Sequence, residues 1–135
     1  MARIALVGYE QLPSGGAEDI IKSLLPKIIT SCRHEVVHTD IVESRRETSP
    51  IMLVRSMLLT HPDLIHYTNY RDQITRTNQD EAYLSEALKQ SEIPILLTSA
   101  SKKASELAER LGILFIDTNP QTFFNDYLSF LKKLS

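Results

Sequence analysis

The sequence predicts a single α/β domain built on one doubly wound parallel sheet, five strands in the order 2-1-3-4-5 with helices on both faces. Three observations predict it. Five short aliphatic and β-branched runs, at Ile4–Val7, Glu35–Ile41, Leu64–Tyr67, Ile93–Thr98 and Ile113–Ile116, alternate with five helix-length segments and use nearly the whole chain. That rhythm is the sequence form of parallel strands joined by crossover helices. The first run is apolar throughout rather than alternating, as a strand buried on both faces must be. Finally, 135 residues, 42% hydrophobic and 24% charged, suit one ordinary domain with one core.

The elements follow in order. Arg3–Val7 is the central strand, and Tyr9–Gly16 is a connecting loop marked by Pro13, Gly15 and Gly16. Ala17–Ser31 reads as a helix with Ile20, Ile21, Leu24, Leu25 and Ile28 on one broad face. Pro26 lies inside that pattern and lacks an amide donor, so a kink or two short helices should meet there. Glu35–Ile41 is the second strand, with Val37, Thr39 and Ile41 on one side. Ser49-Pro50 is a helix start, cap then proline, for a helix that stops near His61-Pro62.

After the third strand, Thr68–Asn78 is a long polar loop of the kind that is often functional. Asn78 caps the next helix, whose inner stripe is Ala82, Leu84, Ala87 and Leu88. Ser99–Ser101 leads into a helix over Lys102–Leu111, closed by Gly112 as a left-handed cap. The last helix opens at Asn119-Pro120 and bears Phe123, Phe124, Tyr127, Leu128, Phe130, Leu131 and Leu134. These cover a stripe of about 160°, wider than one sheet face usually needs. Either the stripe packs a core with a frayed end, or its outer edge around Leu128 and Phe130 meets a partner protein.

Composition excludes several function classes. A net charge of −2 with no block of Lys and Arg gives no electrostatic case for nucleic acid. No apolar run approaches the roughly 20 residues that cross a bilayer, and no signal-peptide pattern opens the chain, so the cytoplasm is expected. Cys32 is the lone cysteine and reads as a small buried hydrophobe. His34, His38, His61 and His66 show no metal-ligand spacing; His34 and His38 should share a strand face, and His66 reads as a hydrogen-bonded core histidine. No metal and no cofactor are expected. No G-x-S-x-G turn, G-x-G-x-x-G fingerprint or P-loop occurs, leaving no support for nucleophilic hydrolysis or for those two nucleotide motifs.

In a sheet of this order, ligands bind beyond the carboxyl ends of the strands, where the winding reverses between the first and third. The groups brought there are Tyr9, Glu10 and Ser14, then Thr68, Asn69 and Arg71, then Thr98, Ser99 and Ser101, then Asp117, Thr118 and Asn119. This rim of hydroxyls and amides suits hydrogen bonding to a small polar ligand better than acid–base chemistry. Ser99, Ser101 and Asn119 also read simply as caps of the helices that start there. Gly15-Gly16 reads as a flexible turn before a helix, or as a place where amides approach an anion. Tyr9, Glu10, Gly15, Gly16, Thr68, Asn69 and Ser99 are the candidate ligand contacts.

Two families are similar in sequence pattern. His61-Pro62-Asp63-Leu64-Ile65-His66, Ile93-Pro94-Ile95-Leu96-Leu97-Thr98, His34-Glu35-Val36 and the Leu12–Glu18 glycine-rich loop resemble the N-terminal half of GT-B glycosyltransferases. That resemblance implies a cleft-facing loop at Gly15-Gly16 and a donor nucleotide-sugar held mainly by a second domain. Length, strand count, Pro62-Asp63-Leu64-Ile65, Ile93–Ala100 and Asn119-Pro120 with Phe123 resemble response-regulator receiver domains, which share the flavodoxin-like order. Working receivers need an acidic pair after the first strand to hold a divalent cation. Here those places read Gly8-Tyr9, the phospho-acceptor position falls on Thr68, and the usual lysine falls on Thr118 or Asn119. Only Ser99 keeps the expected small hydroxyl. The resemblance thus implies a pseudo-receiver.

The resulting expectation is a non-catalytic signalling or adaptor module. It would act by protein–protein binding or self-association through Phe123, Tyr127, Leu128 and Phe130, without aspartyl phosphorylation. The alternative is a nucleotide- or sugar-binding half-enzyme.

Overall fold

The computed structural model describes residues 1–10, 20–43, 49–69 and 77–134. Strands β1 (Arg3–Glu10), β2 (Glu35–Glu43), β3 (Leu64–Asn69), β4 (Ile95–Ser99) and β5 (Leu114–Asp117) form one sheet in the order β2-β1-β3-β4-β5. Every pairing is parallel. The strand count and order are those expected from the sequence. Helix α1 (Leu25–Ser31) follows β1, α2 (Pro50–Leu58) follows β2, α3 (Thr77–Gln90) follows β3, α4 (Lys102–Leu111) follows β4, and α5 (Phe123–Lys133) follows β5.

The sheet is buried on both sides because β1, β3 and β4 are apolar on both. Ala5, Val7, Ile65, Tyr67, Ile95 and Leu97 pack against α2, α3 and α4. Ile4, Leu6, Leu64 and Leu96 pack against α1 and α5. Each face removes several aliphatic side chains from water, at roughly 1.5–3 kcal/mol per fully buried large side chain.

Several local expectations hold. A π-helical turn (Ile20–Leu24) abuts α1 with Pro26 in the first turn of α1, where its missing amide breaks no bond. Ser49 caps α2 by accepting from the Met52 amide at 3.3 Å. Gly112 closes α4 at φ 72°. Other expectations are corrected. β1 runs on to Glu10, where a loop was expected from Tyr9, and α5 begins at Phe123 after a turn over Pro120–Thr122. The inward residues of α3 are Asp80, Tyr83, Leu84 and Ala87, while Ala82 and Leu88 face solvent.

β2 carries the largest local surprise. Ile4 pairs with Val36 but Ala5 pairs with His38, so Val37 is an extra residue in the ladder. A bulge of this kind reverses the side-chain alternation beyond it. His34 therefore lies toward α5, accepting from the Ala2 amide at 2.9 Å and donating to the Leu131 carbonyl at 2.7 Å. His38 lies beside Ala5 on the opposite face. The two histidines do not share a side. Thr39 and Ile41 still do, with Val36 rather than Val37.

Candidate functional site

The carboxyl ends of β3 and β4 bring Thr68, Asn69, Thr98 and Ser99 side by side, Thr68 opposite Thr98 and Asn69 opposite Ser99. All four are buried, Thr68 at 2% exposure and Asn69 at 3%. Because strand residues alternate, Thr68 and Thr98 look toward α1 and α5, and Asn69 and Ser99 toward α2, α3 and α4. The strand ends thus carry two separate polar clusters, one on each face.

On the α5 side, His66 is the hub. Its Nδ1 lies 2.9 Å from the Tyr127 hydroxyl and its Nε2 lies 2.9 Å from the Thr98 hydroxyl. Burial lowers its pKa from 6.5 to about 3, so the ring is neutral, one nitrogen donating and the other accepting. Burial pushes the Tyr127 phenol far up, the Cys32 thiol adding to the effect, so this hydroxyl is a hydrogen-bonding group only. Thr68 donates to the Thr98 carbonyl at 3.4 Å. With every hydroxyl committed inside the protein, this cluster holds β3, β4 and α5 together. His66 is the hydrogen-bonded core histidine that its strand position suggested.

On the other side, two residues of one strand face grip a single carboxylate. Tyr67 donates to Oδ1 of Asp80 at 2.6 Å, and the Asn69 amide nitrogen donates to Oδ2 at 2.9 Å. Asp80 sits in the first turn of α3, where the positive helix end favours an anion, and is 2% exposed. Tyr83 packs against Tyr67 with ring centroids 5.3 Å apart. Burial raises the Tyr83 phenol well above its ordinary value, and the Asp40 carboxylate raises it further. The oxygen of Asn69, Oδ1, is buried and has no hydrogen-bond partner among the described residues. The rim is thus more acidic than the hydroxyl-and-amide reading of the sequence, since Asp80 joins it from a helix.

Of the candidate ligand contacts, Thr68, Asn69 and Ser99 come together. Thr68 is committed to the sheet. The Ser99 hydroxyl accepts from the Ser101 amide at 3.1 Å, and Thr118 donates its amide to the Ser99 carbonyl at 3.1 Å. Ser101 occupies the cap position of α4 without a side-chain cap bond, whereas Asn119 caps its own turn by accepting from Gln121 at 3.0 Å. Tyr9 and Glu10 are the last residues of β1. Gly15 and Gly16, with Ser14 and Arg71, lie outside the described residues.

Among the candidate partner contacts, Phe123 and Tyr127 are corrected. They are 5% and 0% exposed and stack on each other at 5.4 Å inside the core, where no partner reaches them. Leu128 and Phe130 are half-buried flanks of the same core, and Phe124, 54% exposed, is the open aromatic of α5. Cys32 is partly buried against that core at the end of α1. The largest omissions of the sequence reading are Asp80, Tyr67 and Tyr83. Only the acidic first turn of a helix hinted at Asp80; its pairing with alternate residues of a strand is a tertiary fact.

Among the described residues, no group of three or more His, Cys, Asp or Glu side chains is placed to hold a metal. No helix there is long and apolar enough to cross a membrane. A surface depression of about 260 Å³, lined by Leu88, Ile93, Pro94, Ile113 and Leu114 among others, sits at the opposite, amino edge of the sheet.

No protein-family description matches the chain, and no curated protein matches it. Among solved structures, it is similar to the apo form of the cobalamin-dependent S-adenosylmethionine radical enzyme OxsB, at 13% identity and a TM-score of 0.49. The match covers 98% of this chain and 19% of that one, so the chain spans about a fifth of that enzyme's length.

Proposed function

We propose that this chain is a non-catalytic, receiver-like signalling or adaptor module that works by binding another protein through the outer edge of α5, without aspartyl phosphorylation. The observation that carries the reading is the unspent apolar edge of that helix. The core takes Phe123, Tyr127 and Leu131, yet Phe124 remains 54% exposed beside half-buried Leu128. At the carboxyl end of β3, the position matching a receiver's phospho-acceptor is Thr68, a buried hydroxyl already donated to the Thr98 carbonyl. Phosphoryl transfer needs an exposed nucleophile and a neutralising cation; Thr68 is a poor substitute for either role.

The test is a photo-crosslinkable phenylalanine analogue placed at Phe124 and, separately, at exposed Lys103 on α4. The reading expects a discrete adduct with a second protein, or with a second copy, from position 124 alone. Equal labelling from both positions, or none from either, overturns it.

A second reading, a polar-ligand site at the strand ends as in a nucleotide- or sugar-binding half-enzyme, is favoured by one observation. Asn69 has a buried oxygen with no partner among the described residues, at the place where ligands meet sheets of this order. Saturable thermal stabilisation by a nucleotide or nucleotide-sugar, lost in Asn69→Leu, is its expected signature.

A further inference from the structure

We infer that β5 is a docking edge for a second copy of this chain. Two β5 strands pair antiparallel about a two-fold axis at Ile116 and join the two sheets into one. This surface is separate from the Phe124 edge of α5.

The two edges of the sheet are built differently. A strand edge offers its outward amides and carbonyls to any other strand, and proteins ordinarily blunt it with bulges, charges or proline. β2 is blunted in this way, by the bulge at Val37 and by the acidic residues Glu35, Asp40 and Glu43. β5 reads Leu-Phe-Ile-Asp, with no bulge against β4 and neither lysine nor proline. Leu114 is 49% exposed, and Phe115 and Ile116 are half-buried.

The backbone of β5 fixes the register. In a parallel ladder, alternate residues turn their polar groups to the neighbouring strand. The Thr118 amide donates to the Ser99 carbonyl and Ser99 lies opposite Asp117, so Leu114, Ile116 and Thr118 face β4. Phe115 and Asp117 turn their amides and carbonyls outward, and no described residue takes them. An axis at Ile116 sets Phe115 opposite Asp117 of the second copy and Asp117 opposite its Phe115. Each pair then exchanges both hydrogen bonds, as antiparallel partners do. Ile116 meets its own counterpart in the closer, non-hydrogen-bonded pairing, where apolar side chains touch across strands.

Charge on α4 selects a second copy as the occupant. This helix packs over β4 and β5. Arg110 pairs with Glu81 of α3 at 2.8 Å, so α3 lies on one flank of α4. At about 100° per residue, Ser105 and Glu109 lie on the other flank, toward the β5 edge, and Lys102 continues their stripe. All three are exposed. A two-fold axis perpendicular to the sheet keeps both α4 helices on one side and runs them antiparallel. Lys102 then faces Glu109 of the second copy and Glu109 faces its Lys102, with Ser105 near the axis. Neither charge has an ion-pair partner among the described residues. The edge is thus self-complementary, as a two-fold interface between identical chains requires.

The test is sedimentation equilibrium of the whole chain from low micromolar to near-millimolar concentration, with amide hydrogen exchange followed over the same range. A monomer–dimer equilibrium is expected, with protection of the Phe115 and Asp117 amides rising as the dimer forms. Lys102→Glu and Glu109→Lys each bring like charges together at both symmetric contacts, and each should weaken the dimer about tenfold. The double variant, with the charges exchanged, should restore it. Both positions are exposed, so these substitutions leave the core untouched. Phe124→Ser should leave the dimer intact. A monomer at every concentration overturns the inference, as does a dimer indifferent to the single reversals or one whose Phe115 and Asp117 amides stay unprotected. A dimer lost in Phe124→Ser but kept in the reversals assigns self-association to α5 and overturns it as well.

Discussion

His66 shows how one side chain sets a property of the whole fold. Its ring is neutral because burial lowers its pKa from 6.5 to about 3. Between those values the unfolded chain binds a proton that the folded chain refuses, so acid favours unfolding. The contribution is complete above 6.5 and is lost as pH falls toward 3; at 1.36 kcal/mol per unit the full span is roughly 5 kcal/mol. Unfolding free energies measured in urea across this window should fall with pH, and the slope should flatten in His66→Leu. Some slope should remain, because burial also lowers His38 against the opposing pull of Asp40. A second substitution isolates the hydrogen bond. Tyr127→Phe keeps the stack on Phe123 but leaves His66 Nδ1 without its 2.9 Å partner, so a loss of about 1–3 kcal/mol in urea is expected.

Helix ends offer a matched pair of tests at the next scale. Three helices are followed by left-handed residues: Arg33 at φ 65° after α1, His61 at φ 54° after α2, and Gly112 at φ 72° after α4. Only the last is glycine. A Cβ on Gly112 would meet nothing within 4 Å, so Gly112→Ala should cost only the backbone penalty, about 1 kcal/mol of unfolding free energy measured in urea. His61→Gly should act in the opposite direction, by up to about 1 kcal/mol, because the His61 carbonyl that accepts from Arg3 at 3.2 Å is retained. These ends also show what a sequence discloses. The Gly112 cap and the Ser49-Pro50 start were legible because their chemistry is local, spread over four residues at most. The bulge at Val37 was not, since it exists only in pairing with β1. Nor was the face of α3, which turns inward at Asp80 and Tyr83 because Tyr67 and Asn69 receive the carboxylate there.

For the molecule as a whole, the sheet order places Thr68, Asn69 and Ser99 together. This much of the site followed from alternating runs and the rule for wound sheets. What the residues do there did not follow, because commitment of a hydroxyl or freedom of an oxygen depends on partners far along the chain. The division of α5 between core and surface is likewise visible only in the packed structure, and it is measurable. Leu131→Ala should cost about 2–5 kcal/mol, since the side chain is wholly buried, while Phe124→Ser should stay within about 0.5 kcal/mol. On the proposed reading, such a Phe124 variant loses the crosslinked adduct without unfolding the chain. The receiver-like account turns most directly on whether the strand ends can take up phosphate. The decisive measurement is the intact mass of the protein after incubation with acetyl phosphate and magnesium. An unchanged mass is the predicted result; an acid-stable, base-labile gain of one phosphoryl group on an aspartate would contradict the account.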